Sequence, residues 1–408
     1  MGYIVRHLER KFSKMSGFFK AVLVTGARQV GKTTMLRHLA KGQNRTYVTL
    51  DNQMARDLAN RDPVLFFQTY KPPIIIDEAQ YAPGLFSHVK ELCDGSEESG
   101  LFWLTGSQQY EMMKNVRETL AGRIGILRLY GFSYREKEGL FFDTTPDFSF
   151  DDLQSRKAKT PQNDVVKIFE HIWRGGMPQV LHADDVQRME YYNAYVSSYI
   201  MRDVAELGGV TDTLRFGKFM TACAALVGQQ VNYRTLAESS EISEPTAKEW
   251  LRLLEGLGIV YLLRPYASNA LKRLTKTPKL YFLDSGLCAH LSMWLTPQTL
   301  MAGAASGHFF ENYVVTELVK TFAYSAAKVN LSYYRDSNGK EVDLLLEENN
   351  RIHCLEIKKS ANPDSREVRK FAWVEKAGLE LGCGGIICMC EEVIPIDDRN
   401  SFIPCNLI

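Results

Sequence analysis

Short, mostly apolar runs of four or five residues recur through residues 1–135, alternating with amphipathic stretches. Candidate strands are Val22–Thr25, Thr46–Leu50, Ile74–Asp77, Leu101–Thr105 and Ile126–Leu129. Runs without polar alternation suit strands of a parallel sheet covered on both faces. Their alternation with helical patterns such as Met35–Leu39 predicts a doubly wound α/β domain.

The pattern then changes. Asp143 to Asp164 is polar and reads as a mobile loop or linker. Helical periodicity returns from Val165 to Leu207, interrupted by Gly175-Gly176-Met177-Pro178, and reads as a helical lid. Leu214–Val227, Tyr233–Ser239 and Ser243–Gly256 predict three helices, followed by strand-like Ile259–Leu263 and Lys279–Leu283. Three helices and a hairpin predict a winged helix-turn-helix. The expected division is a P-loop core over 1–135, linker and lid over 136–207, winged helix over 208–290, and a C-terminal α/β core over 300–408.

The chemistry enters after the first strand. Gly26, Ala27, Arg28, Gln29, Val30, Gly31, Lys32, Thr33 and Thr34 fit the phosphate-loop pattern G-x-x-x-x-G-K-[ST] in its required strand–loop–helix context. Such a loop wraps phosphates with backbone N–H groups at a helix N-terminus. Lys32 is expected to neutralise the terminal phosphates and Thr33 to reach Mg²⁺. The strand Ile74–Asp77 ends in Asp77 and Glu78, at the sheet edge where parallel sheets place ligands. Asp77 is expected to hold Mg²⁺ through water, and Glu78 to polarise the attacking water. Together the two motifs imply a nucleoside triphosphate hydrolase. After the fourth strand, Ser107 or Gln108 is a candidate sensor of the terminal phosphate. Arg123 is expected either to reach a phosphate, in cis or in a neighbour as a finger, or to cap a helix C-terminus. The trans reading keeps a homo-oligomer open.

A second constellation lies near the C-terminus. Glu311 falls on a predicted helix, His308–Phe322, while Asp343 and Glu356 fall on two strands of a hairpin turning at Glu347–Arg351. Glu356 and Lys358 share a face. Glu311, Asp343 and Glu356 are expected to hold Mg²⁺, and Lys358 to orient water, as metal-dependent phosphodiester cleavage requires. This arrangement resembles the restriction-endonuclease-like PD-(D/E)xK fold, with Val342 in place of the leading proline. Arg264, Lys272, Arg273, Lys276 and Lys279 form a hairpin stretch free of acidic residues, a candidate DNA contact or a solvated tip. Cys383, Cys388, Cys390 and Cys405 are poorly spaced for a metal, and Gly384–Cys390 reads as a buried strand.

Composition narrows the rest. With 408 residues the chain holds two or three cores, and 45% hydrophobic with 24% charged residues excludes wholesale disorder. A net charge of +1 confines any nucleic-acid contact to local patches. Eight scattered cysteines and the lack of a long apolar run predict a reduced, cytoplasmic protein without a membrane partner.

Gly26–Thr34, Ile74–Gln80, Leu104–Gln108, Leu120–Arg123, Trp173–Pro178, Lys279–Leu287 and Gly307–Glu317 span nearly the whole chain. In this order they resemble a large prokaryotic family of AAA-type ATPases whose C-terminal domain is named for its unknown function. The resemblance implies ATP as the nucleotide and leaves the biological role open. A DNA-associated ATPase is the leading expectation. The alternatives are an ATP-regulated nuclease using the C-terminal core and an ATP-gated signalling or scaffold protein.

Overall fold

In the computed structural model, which describes residues 2–106, 116, 119–162, 164–208, 210–266, 277–336, 338–348, 351–376 and 378–408, five strands build the first sheet. They are β1 (Ala21–Thr25), β2 (Thr46–Thr49), β3 (Ile74–Asp77), β4 (Phe102–Gly106) and β5 (Ile124–Arg128). Their order is β2-β3-β4-β1-β5, and every neighbouring pair is parallel. The apolar runs explain the depth of these strands. Ile74, Ile75 and Ile76 are each at most 1% exposed, and each buried side chain contributes about 1.5–3 kcal/mol. Because β4 lies between β1 and β3, the carboxyl ends of all three reach one sheet edge.

The chain divides into two compact units, Met1–Phe132 with Gly256–Ile259, and Ser133–Glu255 with Val260–Ile408. The second unit holds the segments expected as lid and C-terminal core and all of the expected winged helix but Gly256–Ile259.

In the second unit, helices Thr213–Ala225, Tyr233–Ser240 and Glu244–Gly256 precede an antiparallel pair, β6 (Val260–Leu263) and β7 (Lys279–Phe282). Ser243 caps the third helix by accepting from the Thr246 N–H at 3.2 Å. A six-stranded sheet follows the helix Ser306–Tyr324. Its strands are β8 (Asn330–Arg335), β9 (Glu341–Glu348), β10 (Arg351–Lys358), β11 (Gly384–Cys388), β12 (Ile394–Pro395) and β13 (Asn400–Pro404). The order is β12-β13-β11-β10-β9-β8, with β8, β9 and β10 antiparallel and β11 parallel to both β10 and β13.

Asp284 ties distant parts of this unit together. Its carboxylate accepts from the Gly176 N–H at 2.7 Å, the Leu287 N–H at 2.8 Å and the Tyr192 hydroxyl at 2.7 Å. Gly175 sits at φ +80°, and a Cβ there would lie 2.6 Å from Asp284 Oδ1. A side chain at that position would therefore clash with the carboxylate as well as strain the backbone.

The expected loop from Asp143 to Asp164 contains a helix, Phe150–Lys157, capped by Ser149. Phe148 and Leu153 are at most 1% exposed, and the buried Arg156 lies 4.7 Å from the Phe142 ring centroid. Two apolar anchors and an N-cap suffice for a short helix in a segment whose average composition is polar.

Candidate functional site

The phosphate-loop sequence occupies the carboxyl end of β1. Gln29 at φ +61° and Gly31 at φ +98° are both left-handed, the alternation by which a loop turns successive N–H groups toward one point. Gly26 is sterically obligatory, since a Cβ there would approach Leu129 O to 2.1 Å. The helix Lys32–Leu39 starts directly at Gly31, and the first turn of any helix leaves N–H groups without intrahelical acceptors. Lys32, 6% exposed, donates to Gly26 O at 3.0 Å and Ala27 O at 2.8 Å. Arg6 braces the loop from outside by donating to Val30 O at 2.8 Å and to Tyr130 O at 2.6 Å. Sequence reasoning gave Arg6 no role, because nothing in its local pattern signals a contact so distant along the chain.

Asp77, 6% exposed, is the centre of the edge. Thr33 Oγ1 donates to its Oδ1 at 2.7 Å, Tyr47 OH to its Oδ2 at 3.2 Å, and Thr105 Oγ1 also donates to Oδ1. Thr105 accepts in turn from the Glu78 N–H at 3.2 Å. The motif pairing of Thr33 with Asp77 is thus realised in space. Tyr47 and Thr105 were missed as partners, although Thr105 opens the very Thr-Gly-Ser-Gln stretch in which a sensor was sought. Glu78 adopts a left-handed backbone at φ +55°. Its carboxylate accepts from Gln80 Nε2 at 2.5 Å.

The electrostatics of this edge are anionic. Burial first, then Glu78 and Asp77, push the Asp51 carboxyl above its ordinary value. Burial and the Asp77 charge push the Tyr47 phenol up to about 12. A buried carboxylate surrounded by hydroxyls, with further acids beside it, is a place where a cation is favoured.

Ser107 and Gln108 lie outside the described residues. Arg123 does not join the phosphate loop. It precedes β5, at the sheet's opposite edge, and forms an exposed fork with Asp94 at 2.5 and 3.1 Å.

In the second unit Glu311, Asp343, Glu356 and Lys358 do come together, with lysines among them. Lys279 Nζ stands 3.0 Å from Glu311, 2.7 Å from Glu341 and 3.7 Å from Asp343. Lys358 Nζ stands 2.8 Å from Glu356 and 3.5 Å from Asp343, and Lys370 reaches Glu356 at 3.1 Å. Tyr281 OH donates to Glu311 at 2.7 Å, and the Ile357 N–H to Asp343 at 3.0 Å. Burial opposes the charge on Asp343, but Lys279, Lys358 and the Ile357 N–H hold the carboxyl below its ordinary value. Burial and Asp343 push Glu356 up to about 7.

Lys279 stands between Glu311 and Asp343, where the expected metal shell would lie. Among the described residues no group of three or more His, Cys, Asp or Glu is placed to hold a metal. Lys279 itself was expected in the exposed basic hairpin, yet it is 4% exposed. Of the proposed DNA contacts, Lys272, Arg273 and Lys276 lie outside the described residues. Arg264 is partly exposed, with Glu255 at 3.9 Å. Cys388 lies on the fully buried β11, as its apolar neighbours suggest.

Residues 18–138 match a family described as an AAA domain, residues 166–298 the domain of unknown function DUF8612, and residues 306–408 the domain of unknown function DUF4143. An uncharacterized protein of Mycobacterium tuberculosis is 28% identical over 390 residues, covering 95% of this chain and 80% of the relative. One from Haemophilus influenzae is 24% identical, covering 69% and 64%. Among solved structures, the Walker-type ATPase of Pyrococcus abyssi aligns with 71% of this chain and 96% of its own, at 15% identity and a TM-score of 0.44. The RuvB Holliday junction branch migration motor of Thermotoga maritima covers 65% and 93%, at 16% identity and a TM-score of 0.32. No helix among the described residues is long and apolar enough to cross a membrane. Residues 18–138 are thus similar to an AAA domain and residues 306–408 to the DUF4143 domain of unknown function.

Proposed function

We propose that the first unit binds ATP with Mg²⁺ and hydrolyses it, Glu78 acting as the base that polarises water. The observation carrying this reading is the 2.7 Å contact between Thr33 and Asp77 across the edge where the phosphate loop opens. A hydroxyl and a carboxylate are hard oxygen donors that fit Mg²⁺, which keeps most of its ligands as water and phosphate. Mg²⁺, when bound, would supply charge neutralisation to the phosphates. The chain's own residues do the rest. The loop N–H groups and Lys32 bind and orient the phosphates, Thr105 fixes Asp77 and the Glu78 backbone together, and Glu78 takes the proton of the attacking water. Lys32→Ala should weaken Mg-ATP binding by about a hundredfold or more, the scale of a lost charge-assisted contact of about 3 kcal/mol. Unchanged affinity would contradict the site.

DNA association belongs to the same reading through Arg264, Lys272, Arg273 and Lys276. Replacing the three lysine and arginine residues 272, 273 and 276 with alanine should weaken DNA binding and flatten its salt dependence. Equal gel shifts for wild type and triple variant would remove the DNA contact and leave an ATP-gated scaffold. The C-terminal core is read here as a lysine-bridged structural element, so no Mg²⁺-dependent DNA cleavage is expected with or without ATP. Cleavage lost in Lys358→Ala would restore the nuclease reading.

A further inference from the structure

Gln80 follows the acidic pair by two residues and closes the Ile74–Gln80 stretch without a role assigned to it in the phosphate-loop chemistry. It sits in a single 3₁₀ turn, Ala79–Tyr81, and is 8% exposed. That turn is anchored from outside. Asn60 Nδ2 donates to Tyr81 O at 3.0 Å, and the Arg56 guanidinium lies 4.3 Å from the Tyr81 ring centroid. From this fixed turn the Gln80 amide donates to Glu78 Oε2 at 2.5 Å, while its Oε1 is buried with no hydrogen-bond partner among the described residues. Glu78 is thus held at two points, its main chain by Thr105 and its side chain by Gln80.

Resting on the hydrolase reading above, we propose that Gln80 is the positioning residue of the Glu78 base. A buried amide is kept beside a carboxylate at the cost of its own unpaired oxygen, an arrangement that packing alone does not reward. The service it renders is to the carboxylate. The donated hydrogen bond fixes which way the carboxylate faces. Sites whose reactive groups are locked by such neighbours gain from it because small misplacements are expensive in rate. Gln80 touches neither nucleotide nor water in this account. It acts through Glu78.

The test is steady-state ATP turnover, with nucleotide affinity measured separately by a fluorescent ATP analogue. Variants are Gln80→Ala, the isosteric Gln80→Glu, Glu78→Gln, and the double Glu78→Gln/Gln80→Ala. Gln80→Ala should lower kcat by between about tenfold and a hundredfold, the scale of a misplaced group, leaving the nucleotide Kd unchanged. Gln80→Glu, which keeps the shape but replaces the donor with a second carboxylate, should lose at least as much kcat, again at unchanged Kd. The double variant should be no slower than Glu78→Gln alone, since residues acting as a unit lose their function once. A purely structural role would move affinity or stability together with kcat. Wild-type kcat in both single variants, or additive losses in the double variant, would overturn the proposal. If Gln80→Ala fails to fold, Gln80→Glu and its double with Glu78→Gln carry the test. A wild-type protein without turnover would overturn the hydrolase reading and this role with it, whereas normal turnover with unaffected Gln80 variants would overturn this role alone.

Discussion

Asp77 and Asp343 are both buried aspartates on sheet strands, and their surroundings are opposite. Asp77 is met by three hydroxyls, from Thr33, Thr105 and Tyr47. Asp343 is met by two ammonium groups, Lys279 at 3.7 Å and Lys358 at 3.5 Å, and by a backbone N–H. The first arrangement orients a charge without cancelling it. The second cancels it within the fold. Two acidic motifs of similar appearance in the sequence therefore differ in what they can offer a cation. A ligand site is recognised by the charge its neighbours leave uncompensated.

Removing Lys279 should produce the largest break in this contrast. Lys279→Met leaves Glu311, Glu341 and Asp343 without their shared counter-charge, and unfolding by denaturant should show a loss of about 3–5 kcal/mol. No measurable loss would mean that the cluster is solvated and its ion pairs idle.

Acid and base titrate this cluster with opposite signs. Asp343 has a depressed value when folded, so its stabilisation is present above its unfolded value and fades as pH falls through the folded one. Glu356 is raised from 4.5 to about 7. The native state thus holds an extra proton between those values, and stability should fall as pH rises through that window. Glu356→Gln should flatten that decline in thermal melts taken across it. An unchanged pH slope would remove Glu356 as its source.

At Asp77 the expectation is different. Without nucleotide, Asp77→Asn should alter stability by no more than about 1 kcal/mol, the scale of an exchanged neutral hydrogen bond. A large loss would mean that Asp77 is structural, like Asp343. The smallest effect belongs to Tyr47→Phe, which removes one of three hydroxyls and should cost about 0.5 kcal/mol in chemical denaturation, the low end for a single neutral hydrogen bond.

Much of the first unit was legible because its signals are local. Apolar run length marked all five strands, with ends displaced by a residue or two, and the glycine–lysine–threonine spacing marked the loop. Asp77 and Glu78 were legible as the end of a buried strand. Their partners were not, because Tyr47 lies on β2 and Thr105 on β4, and only the strand order brings them to Asp77. The same limit hid Lys279. Read along the chain it belongs to a basic hairpin. Its meaning depends on a helix and a strand more than thirty residues further on, through Glu311 and Glu341. Arg6 escaped notice for the same reason, reaching Tyr130 from the other end of the unit. Periodicity reports which face is buried; it carries no information on which charge meets it.

The most direct test of the account is turnover of Mg-ATP by wild type and Glu78→Gln, with nucleotide binding followed in parallel. The account predicts hydrolysis by the wild type, and in Glu78→Gln a loss of about 10²–10⁴-fold, the contribution of a general base, with ATP bound as tightly as before. Hydrolysis at the wild-type rate in Glu78→Gln would contradict it.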